Sequence, residues 1–194
     1  MKRNIEKDVH VLRQSIKGFP EPVVTPAFVV VSGLPGTGKS FFCRKLAEEE
    51  VFCILESDAL RKLLFPSPDY SAEESNNLFL ACHHLIEDLL NRGIQVIFDA
   101  TNLSEYYREQ LYRISDRAGA KLILVSVEAP AELVYERLKM RKCTPDSDNK
   151  SDADWGIYQK MKPTSEMIKR NHFVVDTSRD ISPVIKKIVR KIKR

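Results

Sequence analysis

The chain has 194 residues, 43% hydrophobic and 30% charged with seven glycines, a balance that supports one buried core and excludes collagen-like, low-complexity and wholly disordered chains. The net charge of +4 is local: residues 186–194 (KKIVRKIKR) carry six bases and no acid, leaving 25 bases against 27 acids before them, so the body is not a basic nucleic-acid surface. No apolar run approaches the ~20 residues of a membrane span, and the mixed-charge start MKRNIEKDVHVLRQ lacks a signal peptide's apolar core, so a cytoplasmic protein with no membrane partner is expected.

Along the chain, Ile5, Val9, Leu12 and Ile16 form one apolar helical stripe before GFPEPVVTP interrupts it, which predicts an N-terminal arm and linker over residues 1–25. The domain proper is expected over 26–194. Short β-branched runs then alternate with longer amphipathic stretches. Strands are predicted at AFVVVS (27–32), FCILE (52–56), QVIFD (95–99), KLILVSV (121–127) and HFVVD (172–176). Helices are predicted at about 39–50, 58–65, 72–92, 104–118, 130–142, 153–169 and 181–193. Strands apolar on both faces and alternating with helices imply an α/β fold with a five-stranded parallel sheet between helix layers. The polar stretch CTPDSDNKSD (143–152) reads as part of a helical lid spanning about 137–170. Cys43, Cys53, Cys82 and Cys143 lack metal-ligand or disulfide-framework spacing, so reduced thiols are expected. Adjacent His83 and His84 likewise read as helix surface rather than ligands.

After the first strand stands Gly33-Leu34-Pro35-Gly36-Thr37-Gly38-Lys39-Ser40, a match to G-x-x-x-x-G-K-S/T at every fixed position, placed where strand gives way to helix. Glycines let successive backbone N–H groups curl around phosphate oxygens, the lysine reaches the β- and γ-phosphates, and the hydroxyl ligates Mg²⁺. The expected nucleotide-binding stretch is therefore Gly33 to Phe41. A dinucleotide fingerprint through Gly36 and Gly38 fails, because Phe41 occupies the third glycine's place. ATP or GTP is the expected ligand.

Asp99, at the end of the third strand, can hold the metal together with Ser40. Ala100 follows it where a hydrolytic ATPase would carry a water-activating glutamate. Thr101 and Asn102 stand beside it as candidate substrate contacts, although Asn102-x-x-Glu105 also resembles a capping box. Ser57-Asp58-Ala59-Leu60-Arg61 puts a carboxylate and a guanidinium on one face of a new helix at the same sheet edge. A kinase needs such a base beside the acceptor hydroxyl and such a cation to orient it. The plainer reading is a helix start with Ser57 as N-cap. Arg137 and Arg141, one helical turn apart, carry a like-charge spacing that an anion would offset, and arginine forks suit a transferring phosphoryl group. Glu132 and Glu136 allow a solvated mixed-charge face instead.

GLPGTGKS, SDALR, VIFDATN and ELVYERLKMR, in that order from about Ala27 to Lys142, resemble the P-loop kinases related to polynucleotide 5′-hydroxyl kinases, with AAA-type ATP-binding and zeta-toxin-like relatives. The resemblance implies a P-loop NTPase fold, ATP·Mg²⁺ as donor, and Asp58 as general base. It places Arg61 on the acceptor side, Lys39 with Arg137 and Arg141 on the transferred phosphate, and Asp99 near the metal. A polynucleotide 5′-hydroxyl is the first acceptor expected and a small metabolite or nucleoside the second. A slowly hydrolysing ATP-binding regulatory module is the reading from a different class. In the C-terminal stretch, Trp155 and Tyr158 read as lid packing before base stacking, Asp176-Thr177-Ser178 as a loop passing adenine, and the basic tail as the wet face of an amphipathic helix.

Overall fold

The computed structural model describes residues 4–143 and 152–194. The elements in chain order are α1 (Ile5–Gln14), β1 (Ala27–Ser32), α2 (Lys39–Ala47), β2 (Cys53–Glu56), α3 (Ser57–Leu64), α4 (Ala72–Asn91), β3 (Val96–Asp99), α5 (Glu105–Arg117), β4 (Lys121–Glu128), α6 (Ala131–Cys143), α7 (Trp155–Met161), a 3-10 turn at Lys162–Thr164, β5 (Phe173–Asp176) and α8 (Ser182–Lys193). All strand pairings are parallel and the order is β2-β3-β1-β4-β5.

β1 lies at the centre because all six of its residues are apolar or small, and all are buried. Its two faces feed two cores. Val29 and Val31 pack with Phe42, Cys43 and Leu46 of α2 and Ile185 and Ile188 of α8. Phe28 and Val30 pack with Leu78, Leu85 and Leu89 of α4 and Leu111 and Tyr112 of α5. Leu12 of the N-terminal arm is fully buried in that second core. α8 shows why the basic tail needs no partner to fold: its Ile185 and Ile188 are buried while Lys186, Lys187 and Arg190 lie exposed.

The parallel register sets the site. Val31 pairs with Asp99, Ser32 with Ser126, Glu56 with Asp99 and Glu128 with Asp176. The chain leaving β1, β2, β3 and β5 therefore reaches one edge at one level, where open α/β sheets bind ligands.

Three local expectations differ from the structure. The helix expected over 153–169 ends at Met161 and gives way to the 3-10 turn; Pro163 has no N–H to continue the α-helical ladder, and residues 165–172 run on without regular structure. The capping box at Asn102-x-x-Glu105 does not form. Asn102 donates its amide to Val31 O at 2.7 Å, Glu105 pairs with Arg108, and Glu166, distant in sequence, accepts from the Glu105 N–H at 2.5 Å. Ser57 is the first helical residue of α3, with Glu56 at the cap position and no side-chain cap bond. The polar stretch 143–152 falls largely outside the described residues. No described helix is long and apolar enough to cross a membrane.

Cys43, Cys53 and Cys82 are buried and unpaired. On α4, burial pushes the His83 imidazole down from 6.5 to about 4, with the like charges of His84 and Arg117 acting the same way. The unfolded chain therefore binds a proton at acid pH that the folded chain refuses. Stability is full above pH 6.5 and falls as pH drops toward 4, at up to ~1.4 kcal/mol per unit from this group. Denaturant unfolding of wild type and His83→Gln between pH 7 and 4.5 checks this, and the variant is expected to give the flatter profile.

Candidate active site

The loop from Gly33 to Gly38 wraps the N-terminus of α2. Gly36 and Gly38 take φ of +79° and +94°, values that side chains rarely adopt. A Cβ on Gly36 would stand 2.9 Å from Val134 Cγ1 of α6, and one on Gly33 only 2.4 Å from the Val127 carbonyl. α6 thus rests directly on the loop, with Leu34 packed against Val134, Leu138 and Tyr158. α2 has no side-chain cap at its N-terminus, so its first N–H groups and its dipole face the loop interior, an arrangement suited to anions. Thr37 turns inward and donates to Leu34 O at 2.9 Å, whereas Phe41 is 45% exposed on the outside of α2.

Lys39 donates from Nζ to Leu34 O at 3.1 Å. Burial lowers its pKa, while Asp99 and Asp58 oppose that by favouring the charged form. Asp99 is 5% exposed and one carboxylate oxygen, Oδ2, is buried without a hydrogen-bond partner. Burial raises its pKa, and Lys39 and a hydrogen bond from Ser40 pull it back. An orphaned carboxylate oxygen beside a P-loop hydroxyl and a lysine fits a Mg²⁺·phosphate group. Among the described residues no cluster of three or more His, Cys, Asp or Glu offers an all-protein metal cage.

Asp58, in the first turn of α3 and half-buried, lies within electrostatic reach of Lys39, Asp99 and Arg141. Arg141 is half-buried as well. Its pKa is lowered by burial, with Asp58 acting in the opposite direction. Arg137 takes a different place. Its guanidinium donates to Thr177 Oγ1 at 2.8 Å and Thr177 O at 3.0 Å, with longer contacts to Gly36 O and Thr37 O. Thr177 Oγ1 donates in turn to Thr37 O at 2.6 Å. The two arginines, one turn apart, are thereby separated: Arg137 ties α6 to the outer side of the loop and the chain after β5, and Arg141 stands on the Asp58 side.

Arg61 is 7% exposed, ion-paired with Glu74 and 3.3 Å from Ser75 Oγ, with the Tyr70 ring 4.8 Å away. Its charge is directed into α4 rather than out toward open solvent. Asn102, with φ of +44°, is turned inward as a brace rather than outward to a substrate. Thr101 contributes its carbonyl, which accepts from Gly33 N at 3.0 Å. Asp152, just before α7, accepts from Tyr70 OH at 2.7 Å and Lys62 Nζ at 3.0 Å, joining that segment to α3 and the loop after it. Trp155 stacks on Tyr158 at 4.7 Å, and Tyr158 is buried against Val134 and Leu138, which is the packing role. A cleft of about 460 Å³ opens between Gly33, Leu34, Tyr158 and Glu166. A larger one of about 790 Å³, between α1 and the loop after α3, holds none of the expected site residues.

These elements define the class: a P-loop NTPase-like fold, a five-stranded parallel sheet flanked by helices. The chain belongs to an AAA domain family, whose model matches residues 28–166. No curated protein matches it. Among solved structures it is similar to Mycobacterium tuberculosis APS kinase CysC in complex with AMPPNP and APS, at 19% identity, covering 90% of this chain and 100% of that one with a TM-score of 0.66. A gluconokinase from Sinorhizobium meliloti gives 20% identity over 87% of this chain and 93% of that one, with a TM-score of 0.59. Chaetomium thermophilum Kti12 in complex with ADP-AlF3 gives 20% over 85% and 98%, with a TM-score of 0.67. At these identities the likeness is one of fold.

Arg108 is the residue that sequence reasoning missed. It is fully buried in α5 and ties the Asn102 carbonyl to those of Glu166 and Met167. One signal was available: an arginine three residues after Glu105, on the stripe that carries Leu111 and Tyr112 into the core.

Proposed function

We propose that the chain is a kinase that moves the γ-phosphate of ATP, bound with Mg²⁺, to an alcohol hydroxyl. The observation that carries this reading is the convergence of Lys39, Asp58, Asp99 and Arg141 at one sheet edge, each within electrostatic reach of another. Such a set serves phosphoryl transfer, where catalysis is positioning plus charge stabilisation. The P-loop amides and Lys39 would hold the phosphates; Ser40 and Asp99 would hold Mg²⁺, whose charge offsets that on the β- and γ-oxygens. Asp58 takes the proton of the incoming hydroxyl. Arg141 meets the charge that develops on the transferring group. Arg61, fixed by Glu74, supports the acceptor wall behind Asp58. A regulatory ATPase would not require Asp58 and Arg141 as a set, and Ala100 leaves no carboxylate next to Asp99 for activating water.

The motif resemblance favours a polynucleotide 5′-hydroxyl as acceptor, while a small metabolite or nucleoside fits the same machinery. Incubation with γ-labelled ATP and matched panels of oligonucleotide 5′ ends, nucleosides and sugars tests both. Label in an ester of one panel supports the reading and selects the acceptor class. Release of free phosphate alone, whatever the panel, contradicts it.

The different placement of the two arginines yields a sharper expectation. Arg141→Ala should lower kcat with little change in KM for ATP, because its contact strengthens as charge develops. Arg137→Ala removes four donor contacts to Thr177 and the loop carbonyls, so it should weaken ATP binding and lower the Tm. Steady-state kinetics with thermal denaturation on the two variants separates these outcomes.

A further inference from the structure

No solvent reaches Arg108, which is 0% exposed. Its Nε donates to Glu105 Oε2 at 2.7 Å, and its two terminal nitrogens donate to three main-chain carbonyls: Asn102 at 2.5 Å, Glu166 at 2.8 Å and Met167 at 3.0 Å. The other carboxylate oxygen of Glu105 is buried without a hydrogen-bond partner. Desolvating such a pair is expensive, and apolar side chains of similar volume often serve stability as well or better. A hydrocarbon, however, cannot hold carbonyls from two separate segments in one geometry, which a planar guanidinium with five donors does.

The first of those segments is the turn after β3, which is also the root of the P-loop. Gly33 N donates to Thr101 O, Ser32 Oγ donates to Asn102 O at 3.0 Å, and the Asn102 amide holds Val31 O. Asp99 lies two residues upstream of Thr101. The second segment, residues 165–170, is the chain returning from the lid, and it is strapped along α5 at successive levels. Glu166 accepts from Glu105 N and donates its own N–H to Leu103 O at 2.9 Å. Arg108 takes the next two carbonyls. Arg170 pairs with Glu109 at 3.4 Å and lies 4.3 Å over the Tyr112 ring. Met167 is 86% exposed, so its carbonyl, not its side chain, secures this part of the strap.

We propose that Arg108 is a positioning residue for phosphoryl transfer: it locks the strap returning from the lid to the turn that follows Asp99 and braces the P-loop. This inference rests on the nucleotide-binding reading above. Nucleotide seated on the P-loop and a strap seated on α5 then stabilise each other, and the coupling is reciprocal.

Hydrogen exchange measured by mass spectrometry on the full chain, with and without ATP·Mg²⁺, tests this. In wild type, nucleotide should slow exchange in the P-loop peptide and also in the peptide covering 165–170, the latter by at least about fivefold, the lower end of ordinary coupling. Arg108→Lys keeps the charge but loses the fork, so slowing should persist in the P-loop and vanish from the strap. The paired change Arg108→Met with Glu105→Met removes both buried charges while filling the space; it should fold and show the same loss, and it decides the matter if the single variant does not fold. Strap exchange that ignores nucleotide in wild type, or that responds fully in the paired variant, overturns the proposal. Nucleotide that slows neither segment overturns the nucleotide reading itself, and the proposal with it.

Discussion

Lys39→Ala is expected to abolish phosphoryl transfer to every acceptor, a loss of at least ~10²–10³ in kcat if its charge is worth what one well-placed donor is worth in other charge-stabilising sites. The reason lies in its surroundings. Its ammonium sits inside the loop on the Leu34 carbonyl, in reach of two carboxylates that sustain its charge against burial. Phosphate oxygens would meet that cation together with the uncapped N–H groups of α2. Removing it leaves Asp99 and Asp58 facing each other with less compensation, so nucleotide affinity should fall as well. Transfer assays with calorimetric titration of ATP check both effects. Activity retained within tenfold would remove Lys39, and the P-loop with it, from the catalytic account.

The second large effect is expected at Asp58. Asp58→Asn keeps shape and volume but loses the charge that accepts a proton, so acceptor phosphorylation should fall by ~10²–10⁴. Nucleotide binding should change far less, since the proposed phosphate contacts, the P-loop amides and Lys39, are kept and Asp99 still supports the Lys39 charge. A carboxylate that only decorates the start of α3 would behave differently. Asn is well tolerated at helix N-termini, and the substitution would then cost at most ~1 kcal/mol of stability with transfer intact. Affinity and transfer rate must be measured on the same purified protein, because loss of both together signals misfolding.

The fold was legible because its signals are local. AFVVVS, QVIFD and KLILVSV are apolar on both faces, and the P-loop spacing leaves little choice of conformation, so the strands and the turn to α2 follow from the residues in place. Lys39, Ser40, Asp58 and Asp99, which the motifs single out, lie near one another at that edge because the same local geometry positions them. What escaped depends on which carbonyl a side chain finds. Asn102 and Arg61 are polar residues at the right edge, yet one turns to Val31 O and the other to Glu74. Arg137 and Arg141 share a helical face but meet different partners, since the turn between them is enough to carry one to Thr177 and the other toward Asp58. The strap over 165–170 is held largely by main-chain carbonyls, which every residue type provides, so its side chains carry little trace of it.

The central claim, that the γ-phosphoryl group goes to a hydroxyl and not to water, is tested most directly by following both fates in one reaction. With γ-labelled ATP and an acceptor found by screening, label in the ester and label in free phosphate are quantified together for wild type and Asp58→Asn. The account predicts that wild type places most of the label in the ester and that Asp58→Asn lowers ester formation while leaving the slow release of phosphate nearly unchanged. Label appearing only as free phosphate in wild type, or ester formation undiminished in Asp58→Asn, would contradict it.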